Sequence, residues 1–246
     1  MKKAFEHYKL SAEQGHPPAL LYLARLYKEG VPGVVKRSSA KANTHLKQAA
    51  DLGDSSAMIN FGAGNWRGDE IQTAVKYATL AHHYATGKTV NNANLLLGDI
   101  FQKAEPQDEN YGFGPSNNLA THYLGFVVKS DPTAFNGVAA SQYSRALMEQ
   151  AEDLYGMHMS GLNVIPRSVY WMRKSLAAGN LDAKGVISRM ESMETGKCSA
   201  CGMTEEESDK KFLRCGRCKI YWYCSKKCQL ASWEAGHKVD CKSTFC

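Results

Sequence analysis

Residues 1 to 194 alternate between two kinds of apolar helical segment. An alanine-rich segment ends at a glycine, and a second segment with small and aromatic residues follows after a short turn. Ser11 to Gly15, for example, leads into Ala19 to Tyr27. Repetition at a nearly constant period is typical of a solenoid, so we expect a mostly α fold here. The turn glycines are 38 and 34 residues apart, in the order Gly15, Gly53 and Gly87.

The clearest copy of this unit comes near the end of the region, where Leu154 to His158 leads through Gly161 to Val164 into Tyr170 to Gly179. Glycine after each first helix permits a left-handed backbone, and small residues on the second helix let neighbouring helices approach closely. The pattern resembles Sel1-like repeats, relatives of the tetratricopeptide class, and this implies stacked helix pairs. A generic helical bundle is the alternative, but such regular spacing is unusual in bundles.

Two breaks in the helical pattern divide the chain further. Residues 105 to 118 have no helical period and many Pro and Gly residues, which predicts an irregular surface loop. Asp131 and Pro132 predict a helix start, with the aspartate as cap and the proline as first residue. Ser192 to Gly196 is the expected junction to the C-terminal region, so we expect two domains, the helical repeats over residues 1 to 194 and a small module over residues 197 to 246.

Seven of the eight cysteines in the last fifty residues, together with one histidine, are arranged as four close pairs. The spacing is C-x2-C-x13-C-x2-C-x5-C-x3-C-x8-H-x3-C, and each short gap lets two side chains converge on one ion. Thiolate and imidazole ligands suit zinc, and eight of them fill two tetrahedral sites with no open position. We therefore expect two structural zinc ions. The eight candidate ligands are Cys198, Cys201, Cys215, Cys218, Cys224, Cys228, His237 and Cys241.

A disulfide framework is the alternative interpretation of these cysteines. Four bridges would have to use Cys246 and would leave His237 without a role. Residues 1 to 197 also contain no cysteine and no secretory signal, so zinc ligation is favoured. Spacing alone leaves open which pair shares an ion with which.

The residues around the ligands resemble a MYND-type zinc finger over residues 198 to 241. A RING finger carries histidine as its fourth ligand and a PHD finger as its fifth, whereas both positions are cysteine here. MYND ligands interleave as a cross-brace. The resemblance rests on Tyr223-Cys224-Ser225, Cys228-Gln229, Trp233 and His237-Lys238. It implies one zinc on Cys198, Cys201, Cys224 and Cys228, and a second on Cys215, Cys218, His237 and Cys241.

The chain between the ligands predicts a small hairpin and a short helix. Ile220 to Tyr223 is a β-branched and aromatic run that can pair, as a strand, with Phe212 to Arg214. Ser225 can cap a helix that runs to about Ala235 and stops at Gly236. The expected fold is therefore a Sel1-like solenoid followed by a cross-braced finger.

The formal net charge of +6 raises nucleic acid as a partner. Residues 197 to 246 carry ten Lys or Arg against six Asp or Glu, and seven thiolates with two zinc ions bring this region near +1. Nucleic-acid binding is therefore not favoured. No apolar run reaches the length of a membrane span. Metal-binding thiols and the lack of an apolar signal core at residues 1 to 7 predict the cytoplasm or the nucleus.

These features predict a non-enzymatic adaptor that binds proteins or proline-containing peptides, with no catalytic residues. In related MYND fingers, the positions that match Gln229 and Trp233 line a peptide groove, and their spacing puts them on one helix face. The alternative for Trp233 is a core position between the zinc sites. The alternative functions are an accessory subunit of, or a fragment related to, a lysine methyltransferase or ubiquitin ligase, and a nucleic-acid-associated regulator.

Overall fold

The chain divides into two compact units, residues 1–115 and residues 116–246, and each is described by itself. The structure is a computed structural model that describes residues 2–67, 70–103, 116–155, 164–193, 195–238 and 241. Within these residues, every helix is too short or too polar to cross a membrane.

Helices of similar length, each packed against the next, build the described part of the first unit. The turns between paired helices use glycine in the left-handed region, with φ of 77° at Gly15, 93° at Gly53 and 57° at Gly87. These are the turn positions that the sequence predicts, so the repeat pattern is confirmed. The helices are α1 (Lys2–Glu13), α2 (Pro17–Glu29), α3 (Ser39–Asp51), α4 (Ser55–Arg67), α5 (Ile71–Tyr84) and α6 (Lys88–Lys103).

Small side chains hold the helices of the first unit close together. Ala49, Ala57 and Ala81 are completely buried. At Gly62 in α4, an added Cβ would lie 3.2 Å from the carbonyl oxygen of Ala74 in α5, which is tighter than ordinary van der Waals contact. The alanine-rich composition therefore sets the spacing between helices. The buried cluster of this unit consists of Leu20, Ala24, Leu46, Ala49, Ala50, Ala57, Met58, Tyr77, Ala81 and Ala93.

The second unit begins with further helices, and two of them begin at residues that differ from the sequence prediction. Most of the predicted loop over residues 105 to 118 lies outside the described residues. The predicted last residue of the loop, 118, is wrong. Ser116 accepts a hydrogen bond from the backbone N–H of Leu119 and caps a helix that already begins at Asn117. The helices are α7 (Asn117–Ser130), α8 (Val138–Tyr155), α9 (Val164–Ala177) and α10 (Ala183–Met193).

The predicted helix start at Asp131 is also wrong. Asp131 Oδ1 accepts hydrogen bonds from the backbone N–H and the hydroxyl of Thr133, so it stabilises a turn. A short 3-10 turn over Ala134–Gly137 follows, and α8 begins only at Val138. The Asp131 side chain therefore stabilises the turn that connects α7 to α8 and does not cap a helix.

The C-terminal module has the predicted hairpin and helix. Leu213 pairs with Tyr223 and Arg214 with Trp222, in antiparallel register. The predicted break at Gly236 is present, because Gly236 has a non-helical φ of 125° inside the π-helical turn over Trp233–His237 that follows α12. The elements are α11 (Glu205–Ser208), β1 (Leu213–Arg214), β2 (Trp222–Tyr223) and α12 (Lys226–Ser232).

The C-terminal module shares one hydrophobic core with α9 and α10. Ile165 and Val169 of α9 are almost fully inaccessible, and Met190 of α10 is buried. They belong to the same buried cluster as Phe212 and Tyr221 of the module. A continuous apolar core inside the second unit therefore contains residues from both predicted ranges, 1–194 and 197–246.

Candidate metal centres

The first ligand cluster brings together Cys198, Cys201, Cys224 and Cys228, whose sulfur atoms all lie within 4.8 Å of one another. Cys224 Sγ lies 3.8 Å from Cys201 Sγ and 3.5 Å from Cys228 Sγ. Cys198 is buried, whereas Cys201 is exposed. This site therefore faces solvent on one side.

The second cluster brings together Cys215, Cys218, His237 and Cys241, and all four residues are buried. Cys215 Sγ lies 3.7 Å from Cys241 Sγ. His237 Nε2 lies 3.4 Å from Cys215 Sγ and 3.8 Å from Cys218 Sγ, so the imidazole directs this nitrogen at the thiols. The two clusters are the ligand sets that the family resemblance implies.

The donor spacing fits tetrahedral zinc. With Zn–S distances of about 2.3 Å, the sulfurs of a tetrahedral site lie about 3.8 Å apart, and a sulfur and an imidazole nitrogen about 3.6 Å apart. The five donor distances given above, between 3.4 and 3.8 Å, match these values. The described cysteines are all free of disulfides. The first cluster therefore corresponds to a zinc site with four thiolates, and the second to a zinc site with three thiolates and one imidazole. Four protein donors close each of them.

Electrostatics favour a cation in the buried second cluster. The hydrogen bond from Cys218, helped by His237, lowers the pKa of Cys215 to about 3. The same contact and burial raise the pKa of the Cys218 thiol, and burial next to Cys215 raises that of Cys241 to about 11. Without a metal, one thiol ionises at the expense of its neighbours. A bound Zn²⁺ stabilises three thiolates together.

Local backbone structure positions the ligands. The hydroxyl of Ser225 accepts a hydrogen bond from the backbone N–H of Cys228, which caps α12 and places Cys228 in its first turn as predicted. Directly after the turn that contains Cys215 and Cys218, Lys219 has φ 54° and its N–H donates to the carbonyl of Cys215. The π-helical turn brings His237 to the second site. Each ligand pair is thus held by a turn or a helix end.

Comparison with known families identifies both parts of the chain. The family described as MYND finger matches residues 198–241, and the family described as Sel1 repeat matches residues 1–16, 17–54 and 144–180. The chain joins Sel1 repeats to a C-terminal MYND finger. The predicted zinc cofactor, helical repeats and small finger are thereby confirmed.

Two relatives share the MYND finger. Ubiquitin carboxyl-terminal hydrolase 19 of Arabidopsis thaliana is 41% identical over 49 residues, which are 20% of this chain and 6% of that protein. SET domain and MYND-type zinc finger protein 6 of Schizosaccharomyces pombe is 51% identical over 49 residues, which are 20% of this chain and 9% of that protein. The matches span less than a tenth of each relative's length.

A solved structure resembles most of the fold. The Sel1 repeat protein from Oxalobacter formigenes aligns with 79% of this chain and 69% of its own, at 20% identity and a TM-score of 0.56. Similarity at this identity establishes the fold, a Sel1-repeat solenoid, and nothing about partners.

The two residues predicted to bind peptide lie one helical turn apart on α12 and its continuation. The backbone N–H of Trp233 donates to the carbonyl of Gln229, and both side chains are half-buried. The Trp233 ring meets the His237 ring edge to face, with centroids 5.8 Å apart. Trp233 therefore supports a zinc ligand and keeps part of its surface exposed. Cys246 lies outside the described residues.

Sequence reasoning missed Arg173, which links α9 to the MYND finger. Its guanidinium donates to the carbonyl oxygen of Cys218, a zinc ligand, at 3.2 Å. It also forms an ion pair with Glu191 of α10. Nothing in the local sequence marks this arginine, because its partners are 18 and 45 residues away.

Proposed function

We propose that this chain is a non-enzymatic adaptor whose Sel1 repeats and MYND finger each bind a protein partner. The observation that carries the proposal is that both zinc sites are closed by four protein donors. Catalytic zinc keeps a position open for water or substrate, whereas closed sites stabilise folds. Helical repeats and MYND fingers are protein-interaction modules. With no open metal position for a substrate, their outer surfaces are the parts of the chain that bind partners.

For the finger, the proposed ligand is a proline-containing peptide that contacts Gln229 and Trp233. An aromatic ring offers a flat apolar surface to a pyrrolidine ring, and a neighbouring amide can hold the backbone of an extended peptide. The half-buried state of both side chains supports the proposal, since each is held in place and still reaches solvent.

The test measures the binding of labelled proline-containing peptides to the full chain and to Gln229→Ala. Loss of a hydrogen bond to a neutral amide should weaken binding roughly two- to tenfold. Lys227→Ala is the matched control, because Lys227 is exposed on the same helix. Zinc content should stay at two ions in both variants.

Two results would move the contact elsewhere. Peptide binding that Gln229→Ala and Lys227→Ala affect equally would exclude this face of α12. Release of zinc from Trp233→Ala would assign Trp233 to the support of His237, with no separate role in a groove.

The competing function is an accessory subunit of a protein-modifying enzyme. Its support is the finger shared with proteins named for a SET domain and for ubiquitin hydrolysis. Methyl-transfer and ubiquitin-transfer assays, each run with and without the chain present, separate the two functions. Acceleration of either reaction at a stated chain concentration would favour the accessory role.

A further inference from the structure

A groove of about 710 Å³ runs along α2 in the first unit. Its base is apolar, because Leu21, Ala24 and Leu46 line it, and the latter two are buried. Its rim is charged and exposed to solvent. We call this feature the α2 groove and define it by Leu21, Ala24, Leu46, Arg25, Lys28 and Arg37.

The rim of the α2 groove is positively charged. Arg25 pairs with Glu29 at 3.6 Å, and both side chains are more than half exposed, so this pair is weak. Lys28 and Arg37 are exposed, and neither forms an ion pair with any residue that the structure describes. With three cations against the single carboxylate of Glu29, the rim carries a net charge of +2.

The charged residues of the chain are also unevenly distributed between the segment that contains the groove and the segment that follows it. Residues 2–51 carry nine Lys or Arg against four Asp or Glu, a net charge of +5. Residues 52–196 carry eleven against fourteen, a net charge of −3. The positive field of the repeats is thus concentrated in the segment that forms α1 to α3, and it attracts anions to the groove.

A second groove of about 740 Å³ between α1, α2 and α3 lacks this bias. Lys9 and Lys41 line it together with Glu13 and Asp51. Its positive and negative residues balance, and Asp51 is engaged by Lys47. An excess of cations is therefore a property of the α2 groove and not of every groove in this unit.

We propose that the α2 groove binds an acidic peptide segment that also carries apolar side chains. Carboxylates of the segment meet Lys28 and Arg37, while an apolar side chain covers Ala24 and Leu46 at the base. This inference rests on the proposed adaptor function, since it states the chemistry of the partner of the repeats.

The groove fits an acidic peptide better than nucleic acid. Its base is apolar, which suits an aliphatic side chain of a peptide and not a charged phosphate backbone. The exposed aromatic ring at the rim, Tyr22, is already stacked on Tyr8 with centroids 5.0 Å apart, so one of its faces is covered. Single-stranded nucleic acid binds largely by stacking its bases on free aromatic faces.

The test uses a fluorescein-labelled synthetic peptide of repeating Glu-Glu-Leu, with repeating Gln-Gln-Leu as its neutral counterpart, and the full zinc-loaded chain. Fluorescence anisotropy should show binding of the acidic peptide alone, weakening as salt concentration rises. Lys28→Gln and Arg37→Gln should each weaken binding roughly two- to fivefold. Lys88→Gln, which removes an exposed lysine of α6 outside the groove, should leave binding unchanged.

Three results would overturn the inference. The acidic peptide does not bind, or Lys88→Gln weakens binding as much as Lys28→Gln, or a labelled single-stranded oligonucleotide binds more tightly and competes with the peptide. If the acidic peptide fails while proline-containing peptides still bind in a Gln229-dependent way, this inference fails and the adaptor function stands. If neither class of peptide binds, both fail.

Discussion

Ile165→Ala should weaken zinc binding although Ile165 lies more than thirty residues before the first zinc ligand. The side chain is 1% exposed and belongs to the buried cluster that contains Phe212, Tyr221 and the ligand Cys215. Its truncation leaves a cavity on the α9 side of that shared core. Metal binding and folding of a small zinc module are linked, so a less stable finger binds zinc less tightly.

The expected magnitude follows from the burial of Ile165. Replacing a fully buried isoleucine by alanine costs about 2–5 kcal/mol. Part of this loss falls on the packing of α9 with α8 and α10, and the rest on the finger. We expect about 1.4 kcal/mol on the finger, which is about a tenfold weaker apparent zinc affinity. Competition with a chromophoric chelator measures the affinity, and circular dichroism checks that the helices remain.

The matched control is Ile100→Ala, because Ile100 is also completely buried but lies in α6 of the first unit. It should lower the stability of the repeats and leave zinc affinity unchanged. Ile165→Val removes one methyl group, so its effect should fall between wild type and Ile165→Ala. Zinc affinity that is the same in wild type and Ile165→Ala would show that the finger folds without help from α9.

Three further outcomes concern the finger itself. Cys228→Ser should lose one of two zinc ions, whereas Cys246→Ser should retain both, as native mass spectrometry can count. Ser225→Ala removes the cap on the Cys228 N–H and should lower the stability of the finger by about 1 kcal/mol, seen as a lower Tm. Acidification should release zinc, because protons compete for thiolate and imidazole ligands, and a zinc-sensitive dye follows the release.

Local patterns in the sequence predict much of this fold. Left-handed turns at Gly15 and Gly53 follow from glycine at a regular period. The zinc ligands follow from the short spacing of each pair, and the β1–β2 hairpin from an aromatic run after Cys218. The cross-braced grouping needed the family resemblance, since spacing alone permits other pairings.

Features that depend on distant residues could not be predicted in this way. Arg173 contacts the carbonyl of Cys218, and no local pattern distinguishes it from other helical arginines. The π-helical turn that brings His237 to its site could not be predicted either, because it depends on the position of Cys215 and Cys218 in space. Asp131 stabilises a turn where its sequence context also permits a helix cap.

We infer that both metal sites hold structural zinc ions closed by protein donors. X-ray absorption at the zinc edge of the purified full chain, combined with the metal-to-protein ratio, tests it directly. We predict two zinc ions per chain that share seven sulfur ligands and one imidazole nitrogen. One zinc ion per chain, or a shell that includes a water oxygen at either site, would contradict the claim and reopen a catalytic role.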